Sequence, residues 1–508
     1  MSVESFHHRT EEDGPAHNCG LYLRVGSRPF LIQNVIDPMK TIQNRGQSGA
    51  GIAYFLGGKS RVIKGEGMVA EAFAGGEGLM LDDSEHACSV MGHLRYPTSG
   101  GQCEVQPFAF HGSSENGEKN GEPFIIAHNG TAYPEDGVDN PELSDTFQIG
   151  AKIQALGGFS RENMIKTLSG LGGAYNLTIL TPSGAYVAVD PTRFHPLRAG
   201  VLKGGGAIVA SEDVALLEGR SREDYEEIAD VPRGMFARVT PKGLEEIWTD
   251  PRVGEYAQGK CSFEPGYIMN HEDPEVAHLR VAWGQRLGQQ LVEDGVVPGA
   301  TVVPVLNSGL LYAEGVHNVL GGKFAYDEKA GRGTLLGKKG TLRAFIEHDE
   351  DRSVAIAGKY QVSPEVAGKD LVLVDDSMVR GNTTKRVVVE MLKKGANSVH
   401  LAIGLPYITH PCFHGVAFAT KKELIYNVLQ GDLEAKQQYE NLFAQWVVRD
   451  VEGLPDDAVF RVKLTHLSFE DFKAELGDDW CYHCMTGELP AGVEVPVDIR
   501  TKSEQVVV

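Results

Sequence analysis

The pattern of apolar and polar residues changes near residue 255. Before this point, short apolar runs alternate with glycine-containing turns, as in residues 19–25, 49–56 and 172–180, and this predicts a series of β-strands. After it, residues 274–295 have the periodicity of an amphipathic helix, and buried strands then alternate with helices. The pattern therefore predicts an α/β protein, with an α+β N-terminal part of layered sheets and helices followed by a doubly wound parallel sheet.

Chain length sets the number of domains. A chain of 508 residues is too long for one hydrophobic core, so two or three domains are expected. We predict a leader over residues 1–18, a first domain over 19–255, a second over 256–470 and a C-terminal tail over 471–508. The leader is polar and acidic and lacks the apolar segment that a secretory signal requires.

Composition excludes several classes of function. The net charge of −21 argues against non-specific binding of nucleic acid. No run of about 18 apolar residues is present, so we expect no membrane span. The seven cysteines are an odd number in a large chain, which argues against a disulfide framework and favours a reducing, cytoplasmic setting.

Two adjacent carboxylates, Asp375 and Asp376, follow the apolar run at residues 371–374. In an open α/β sheet, this position at the end of a strand lies in the crevice where ligands bind. Two like charges so close repel each other unless a cation or a polyol lies between them. Magnesium, or the hydroxyl groups of a ribose, would satisfy both carboxylates.

A polar loop follows the acidic pair and leads into a helix. It can offer backbone N–H groups, hydroxyls and a helix N-terminus to a phosphate dianion. The residues of this loop that we assign to the site are Ser377, Arg380, Gly381, Asn382, Thr383 and Thr384. A simpler interpretation is a strand, turn and helix in which Asp376 or Ser377 only caps the helix. The whole string favours a site for ribose 5-phosphate with magnesium nearby.

This string resembles the signature of type I phosphoribosyltransferases, which bind phosphoribosyl pyrophosphate (PRPP). The sequence VDDSMVRGNT is similar to the corresponding stretch of the glutamine PRPP amidotransferase family. The resemblance implies that Asp375 and Asp376 contact ribose and magnesium, and that the loop binds the 5-phosphate. It also implies that Ser308, in the stretch VVPVLNSG, contributes a hydroxyl to magnesium. Asn307 stands where the family often has an acid.

The same family has an N-terminal glutaminase whose nucleophile is a cysteine at the mature N-terminus, and Cys19 matches it. Such chemistry needs a thiolate and a base. Removal of residues 1–18 would give Cys19 a free α-amine, which titrates near ~7.7–8.0 and can act as that base. Taken alone, the same residue could be a buried cysteine at the start of a strand.

Three further stretches resemble the family: residues 43–52, around an RGQ turn, and residues 92–101 and 127–134, in its glutamine site. Arg95 matches the arginine that pairs with the substrate carboxylate, for which a guanidinium fork is well suited. Asn129 and Gly130 match the residues of the oxyanion hole. Asp145 matches the acid that holds the substrate ammonium. By themselves these stretches are ordinary turns or caps, but together with Cys19 they occur in the family order.

Four cysteines predict a metal centre. Cys481 and Cys484 form a CxxC pair, which alone is compatible with zinc, redox chemistry or chance. Cys261 in CSFE and Cys412 in PCFHG complete the pattern of the subgroup of the family that carries an iron-sulfur cluster. The resemblance thus implies a 4Fe-4S cluster held by four thiolates, with zinc as the alternative. Cys88 and Cys103 match nothing and are interpreted as structural.

The resemblance implies an enzyme that transfers ammonia from glutamine to PRPP, giving 5-phosphoribosylamine, glutamate and pyrophosphate, the first committed step of purine synthesis. Magnesium, feedback by purine nucleotides and a homotetramer are further family expectations. His195 stands where the family usually has arginine, and the loop over residues 321–359 differs from the family lid. A diverged paralogue that binds PRPP or nucleotides as a regulator, or a glutaminase with another acceptor, therefore stays open.

Overall fold

The computed structural model describes residues 19–74, 84–96, 105–112, 121–134, 143–338, 360–416, 418, 420–429, 436–497 and 499–500. The predicted leader, Cys103 and residues 339–359 of the predicted lid lie outside this part of the chain. No helix within it is long and apolar enough to cross a membrane.

Strands dominate the first half of the chain, as the apolar runs predicted. They are β1 (Gly20–Leu31), β2 (Gly49–Leu56), β3 (Lys59–Glu66), β4 (His86–Arg95), β5 (Phe108–Phe110), β6 (Phe124–Pro134), β7 (Leu171–Thr181), β8 (Gly184–Val189), β9 (Arg198–Leu202), β10 (Gly206–Ala210), β11 (Tyr225–Asp230), β12 (Met235–Thr240) and β13 (Gly243–Thr249). They form two antiparallel sheets, in the orders β11-β9-β10-β1-β4-β2-β3 and β13-β12-β8-β7-β6-β5.

The two sheets face each other across a shared core. Leu21 and Leu23 of β1 and Met91 of β4 pack there with Ile125 of β6 and Val187 of β8. Because side chains alternate along a strand, the other face of each sheet is also apolar and must be covered.

Helices cover the outer faces of both sheets. They are α1 (Ile36–Thr41), α2 (Val69–Ala72) and α5 (Asp213–Leu217) on the first sheet, and α3 (Asp145–Ala155) and α4 (Arg161–Ser169) on the second. The result is the layered α+β arrangement predicted for this half.

The second half is built from strands and helices in alternation. Its strands are β14 (Lys260–Cys261), β15 (Thr301–Pro304), β16 (Tyr326–Asp327), β17 (Arg332–Gly333), β18 (Leu336–Lys338), β19 (Tyr360–Val362), β20 (Asp370–Asp375), β21 (Ser398–Ile403), β22 (Val462–His466) and β23 (Trp480–Cys481). Its helices are α6 (Pro274–Glu293), α7 (Leu310–Leu320), α8 (Asn382–Lys393), α9 (Ile425–Val428), α10 (Lys436–Val448), α11 (Phe469–Leu476) and α12 (His483–Thr486).

Short turns of other helical types connect these elements. The 3₁₀ turns are Ile32–Val35, Arg222–Asp224, Pro251–Gly254, Pro364–Val366, Lys421–Glu423 and Ala458–Arg461. A π-helical turn spans Glu264–Ile268, at the start of the second half.

Strands β15, β20, β21 and β22 form a parallel sheet in this order. In β20, Leu371 and Leu373 pack in the core cluster that contains residues of α8 and α10. Val372 and Val374 point to the opposite face and pack in the cluster that contains residues of α6 and α7. Helices therefore cover both faces, which confirms the predicted doubly wound sheet.

The order in which the chain adds strands to the sheet reverses between β15 and β20. After α7 the chain returns on the outer side of β15, where Phe324 forms a parallel bridge with Val302, whereas β20 lies on the inner side. The loops that follow β15 and β20 consequently meet at one crevice, the usual ligand site of such sheets. A Cβ atom on Gly309 of the first loop would lie 2.6 Å from the carbonyl oxygen of Val374.

Candidate active sites

Cys19 lies directly before β1 and is buried, with 7% of its surface exposed. The backbone N–H of Tyr96, just after β4, donates to its Sγ at 3.5 Å. Burial raises the pKa of the thiol, and the Tyr96 N–H, Arg95 and Arg45 act in the opposite direction. Since the net pKa is above its ordinary value, the thiol needs a base to become a nucleophile at neutral pH.

Asn129 and Gly130 lie together in β6. Asn129 is 1% exposed, and neither its Nδ2 nor its Oδ1 has a hydrogen-bond partner among the described residues. A buried amide without partners is costly, so such a group is poised to bind something that the protein itself does not supply. Gly130 has φ of +137°, and a Cβ atom there would lie 2.1 Å from the carbonyl oxygen of Ala174. Only glycine fits this position.

Asp145 is the first residue of α3, which Ser144 caps by accepting a hydrogen bond from the Phe147 N–H. The Asp145 carboxylate accepts from the N–H groups of Ala132 at 3.1 Å and Thr146 at 2.8 Å. Burial alone would raise its pKa, but His128 and these N–H groups lower it below its ordinary value. Asp145 is therefore an anion at neutral pH. Asp145 also raises the pKa of the Cys19 thiol, whereas Arg95, at the end of β4, lowers it.

Sequence reasoning missed a buried ion network that joins this site to the second half. We define the network as Arg45, Glu212, Glu264 and His195, all at most 2% exposed. Arg45 lies in the RGQ stretch, and it binds a carboxylate 219 residues further along the chain. No local pattern signals a contact over such a separation.

The acidic pair lies where the strand pattern placed it. Asp375 is the last residue of β20, and both Asp375 and Asp376 are buried. The Asp375 carboxylate accepts from the Asp376 N–H at 3.0 Å, and the Ser377 hydroxyl donates to Asp376 at 2.7 Å. Two buried carboxylates and hydroxyl oxygens are hard donors of the kind that magnesium prefers.

The loop after this pair ends at α8. Gly381 has φ of +74° at the N-cap, and no acidic residue lies in the first turn of the helix. Asn382 and Thr383 are at least partly exposed in this turn, whereas Thr384 is buried. The free N–H groups of the turn and the helix dipole together suit an anion.

Arg380 has a partner within the protein. Its guanidinium forms an ion pair with Glu423, in the 3₁₀ turn Lys421–Glu423. No sequence pattern indicates this pair, and the assignment of Arg380 to PRPP stays a prediction.

Ser308 and Asn307 lie in the turn between β15 and α7. The turn is fixed next to the acidic pair, since the N–H of Val305 donates to the carbonyl of Val374 at 2.8 Å. The structure thus brings the Ser308 turn and the Asp375 loop to the same edge of the sheet.

The four predicted metal ligands come from three separate segments. Cys261 of β14 and Cys481 of β23 are register partners in a parallel pair of strands. Cys484 lies in α12, three residues after Cys481. Its carbonyl accepts hydrogen bonds from the N–H groups of Thr409 and His410, which are close in sequence to Cys412. Burial, together with the neighbouring cysteines, raises the pKa of the Cys261 thiol well above its ordinary value.

These cysteines converge but do not by themselves form a metal site. Within the described ranges, no group of three or more histidine, cysteine, aspartate or glutamate side chains is placed to hold a metal ion. The donor type fits a four-thiolate centre, and Cys412, Cys481 and Cys484 all lie near enough to Cys261 to raise the pKa of its thiol. Cys88 is exposed on β4, away from this group.

Comparison with known proteins shows which families this chain resembles in sequence. The phosphoribosyl transferase domain family matches residues 280–405. The amidophosphoribosyltransferase of Pyrococcus horikoshii is 33% identical over 404 residues, covering 76% of this chain and 82% of the relative. That of Bacillus subtilis is 30% identical over 403 residues, covering 76% and 79%.

A solved structure agrees over nearly the whole chain. Glutamine PRPP amidotransferase from B. subtilis, complexed with ADP and GMP, superposes with a TM-score of 0.72 at 27% identity, covering 94% of this chain and 98% of that one. The fold and the crevice thus define a phosphoribosyltransferase joined to an N-terminal amidotransferase. The chain belongs to the amidophosphoribosyltransferase family, which confirms the predicted family and class of enzyme.

Proposed function

We propose that this chain uses glutamine to aminate PRPP, giving 5-phosphoribosylamine, glutamate and pyrophosphate, the first committed step of purine synthesis. The observation that carries the proposal is the presence of two built sites in one chain. One combines Cys19 and the anion Asp145 with the buried amide of Asn129, which has no partner among the described residues. The other combines the buried pair Asp375 and Asp376 with the N-terminus of α8.

In the first site, Cys19 is the nucleophile. Removal of residues 1–18 would free its α-amine, which takes the thiol proton as sulfur attacks the glutamine amide carbon. The oxyanion so formed receives hydrogen bonds from Asn129 Nδ2 and the Gly130 N–H. Arg95 holds the substrate carboxylate, and Asp145 holds its ammonium group. Ammonia leaves as the tetrahedral intermediate collapses to a thioester, which water then hydrolyses to glutamate.

In the second site, ammonia attacks C1 of PRPP as pyrophosphate departs. The residues Asp375 and Asp376 hold the ribose, and the loop from Ser377 to Thr384 holds the 5-phosphate. These side chains form no covalent bond with the substrate. Rate enhancement follows from positioning the two reactants and excluding water.

Magnesium is the expected cofactor of this site. Asp375, Asp376 and Ser308 would hold it, and when bound it neutralises the charge that develops on pyrophosphate. Support comes from the oxygen donor set at one edge of the sheet.

A 4Fe-4S cluster is our proposal for Cys261, Cys412, Cys481 and Cys484, with zinc as the alternative. Its support is the convergence of three segments on one region. A bound cluster would cross-link the tail to the start of the second half. Anaerobic purification followed by iron and sulfide analysis decides between cluster, zinc and no metal.

Regulation and assembly are also proposed from the family. Purine nucleotides act as feedback ligands, for which the B. subtilis complex with ADP and GMP is the support. We expect a cytoplasmic homotetramer with domains over 19–255 and 256–470 and a tail over 471–508. Binding of nucleic acid is not expected for a chain of net charge −21.

The test compares two nitrogen donors. Cys19→Ala should abolish formation of phosphoribosylamine from glutamine but retain formation from free ammonia, because only the glutaminase needs the thiol. Cys88→Ala, at an exposed cysteine of β4, is the matched control and should retain both. Glutamine use by Cys19→Ala would refute the nucleophile. Binding of PRPP without either activity would favour the regulator, and glutaminase activity alone would favour another acceptor.

A further inference from the structure

The buried ion network links the two halves of the chain, and Arg45 binds a carboxylate from each of them. Arg45 Nη1 lies 2.9 Å from Glu212 Oε1 in the first half, and Arg45 Nη2 lies 2.8 Å from Glu264 Oε1 in the second. A second bond joins Nη1 to the other oxygen of Glu264 at 3.0 Å. The bidentate contact fixes the orientation of the guanidinium plane. The position of Arg45 therefore depends on where the second half places Glu264.

Arg45 in turn holds the residue that carries the nucleophile. Its Nε donates to the carbonyl oxygen of Cys19 at 3.3 Å. The same guanidinium opposes the rise of the Cys19 thiol pKa that burial causes. Both effects act on the reacting residue without Arg45 touching the substrate.

His195 completes the network by binding Oε1 of Glu264, the same oxygen that Arg45 Nη2 binds. Its Nδ1 lies 3.1 Å from Glu264 Oε1, and its Nε2 lies 2.5 Å from the carbonyl oxygen of His414. Glu264 is ionised, because Arg45 and His195 outweigh its burial and lower its pKa to about 2. Both partners of His195 can then only accept hydrogen bonds.

A neutral imidazole has one N–H and can donate only one bond, whereas an imidazolium has two. The observed geometry therefore requires a charged His195. The titratable side chains that contact His195 or act on it electrostatically are Glu264, Asp190 and His414.

We propose that His195, Glu264 and Arg45 are positioning residues for the glutaminase: charged His195 fixes Glu264, Glu264 fixes Arg45, and Arg45 fixes the backbone of Cys19. Use of glutamine then requires the imidazolium form of His195, and the second half of the chain controls the geometry of the nucleophile. This inference rests on the proposed glutaminase activity.

The experiment compares His195→Gln, which is neutral, with His195→Arg, which is a permanent cation with several donors. In the full-length protein, His195→Gln should lower kcat with glutamine on the order of tenfold, because small misplacement of a nucleophile is costly. Formation of phosphoribosylamine from ammonia should be unchanged, which also shows that the variant is folded. His195→Arg should recover most of the glutamine-dependent rate.

A pH profile gives a second readout that a purely structural contact would not change. The pH profile of glutamine-dependent kcat should differ between the parent and His195→Arg, because only the arginine keeps its charge over the whole range. The matched control is His400→Gln, at a buried histidine that bonds Thr465 within the parallel sheet. It should show no selective loss of glutamine use.

Three results for the His195 variants would contradict the positioning role. If His195→Gln retains glutamine use, lowers both activities equally, or is matched in its defect by His195→Arg, the positioning role is wrong. Glu264→Gln provides an independent test, since it should show the same selective loss. If the parent protein itself does not use glutamine, the proposed function fails instead, and the two failures are thereby distinguished.

Discussion

Nδ1 of His128 lies 3.4 Å from Oδ1 of Asp145, so the acid proposed to hold the substrate ammonium has a buried partner inside the protein. The same His128 nitrogen lies 3.3 Å from the hydroxyl of Thr146. His128 thus helps to orient the carboxylate before glutamine arrives, and it keeps the pKa of Asp145 low despite burial. A pre-oriented anion loses little freedom when it binds its ligand.

Asp145→Asn tests this site. The change removes the charge that attracts the ammonium group and retains nearly the same shape. A hydrogen bond to a charged group contributes about 1.5–3 kcal/mol, so KM for glutamine should rise roughly ten- to a hundredfold. Steady-state kinetics with ammonia as donor should be unaffected. Asp224→Asn, at an exposed acid of the same half, is the control, and an unchanged KM in Asp145→Asn would remove Asp145 from the glutamine site.

Gly130→Ala tests the backbone next to the oxyanion hole. A Cβ atom would lie 2.1 Å from the Ala174 carbonyl, at a φ that L-residues rarely adopt. The strands must separate locally, which costs about 1–3 kcal/mol and displaces the Asn129 amide. Glutamine hydrolysis should be lost, and the thermal midpoint should fall. Gly204→Ala, with open space around the new methyl group, should change neither measurement.

Asp376→Asn tests the second site. Loss of this carboxylate weakens binding of ribose and magnesium, so the rates with glutamine and with ammonia should fall together by on the order of tenfold or more. Asp370→Asn is a matched control at the exposed opposite end of β20, where the carboxylate accepts from Ser398. Unchanged rates in Asp376→Asn would show that this acid is outside the PRPP site.

The ion-paired carboxylate of Glu264 should make the free energy of unfolding depend on pH. Burial would raise its pKa, but Arg45 and His195 lower it to about 2 in the folded protein, against about 4.3 in an unfolded chain. The stabilisation is therefore complete above about pH 4.3 and is lost as pH falls towards 2. It amounts to on the order of 3 kcal/mol. Thermal midpoints measured between pH 7 and pH 3 should fall more steeply for the parent than for Glu264→Gln. Parallel curves would contradict the ionised, paired carboxylate.

Local patterns were sufficient to predict the elements around Asp375. The apolar run before it and the periodicity after Gly381 act over a few residues, and β20 and α8 lie where these patterns placed them. The strands β14 and β23 were not predictable, because two residues carry no periodicity. Arg380 and Glu423 show the same limit, since packing alone brings such distant residues together.

The predicted glutaminase residues came from a resemblance and not from periodicity. The structure adds what a motif cannot contain, namely the burial of the Asn129 amide and the pairing of Arg45 with Glu264. Both depend on which side chains are buried together, and burial is a property of the assembled layers.

The pairing of β14 with β23 limits the order in which parts of a newly made chain can fold. The Ser262 hydroxyl donates to the carbonyl of Cys481, 219 residues later. During translation the N-terminal sheets can fold as a unit as soon as they emerge. Strand β14 waits for its partner until Trp480 and Cys481 have left the ribosome. A ribosome that stalls before Cys481 would therefore display a folded first half followed by an unpaired β14, a target for chaperones and proteases.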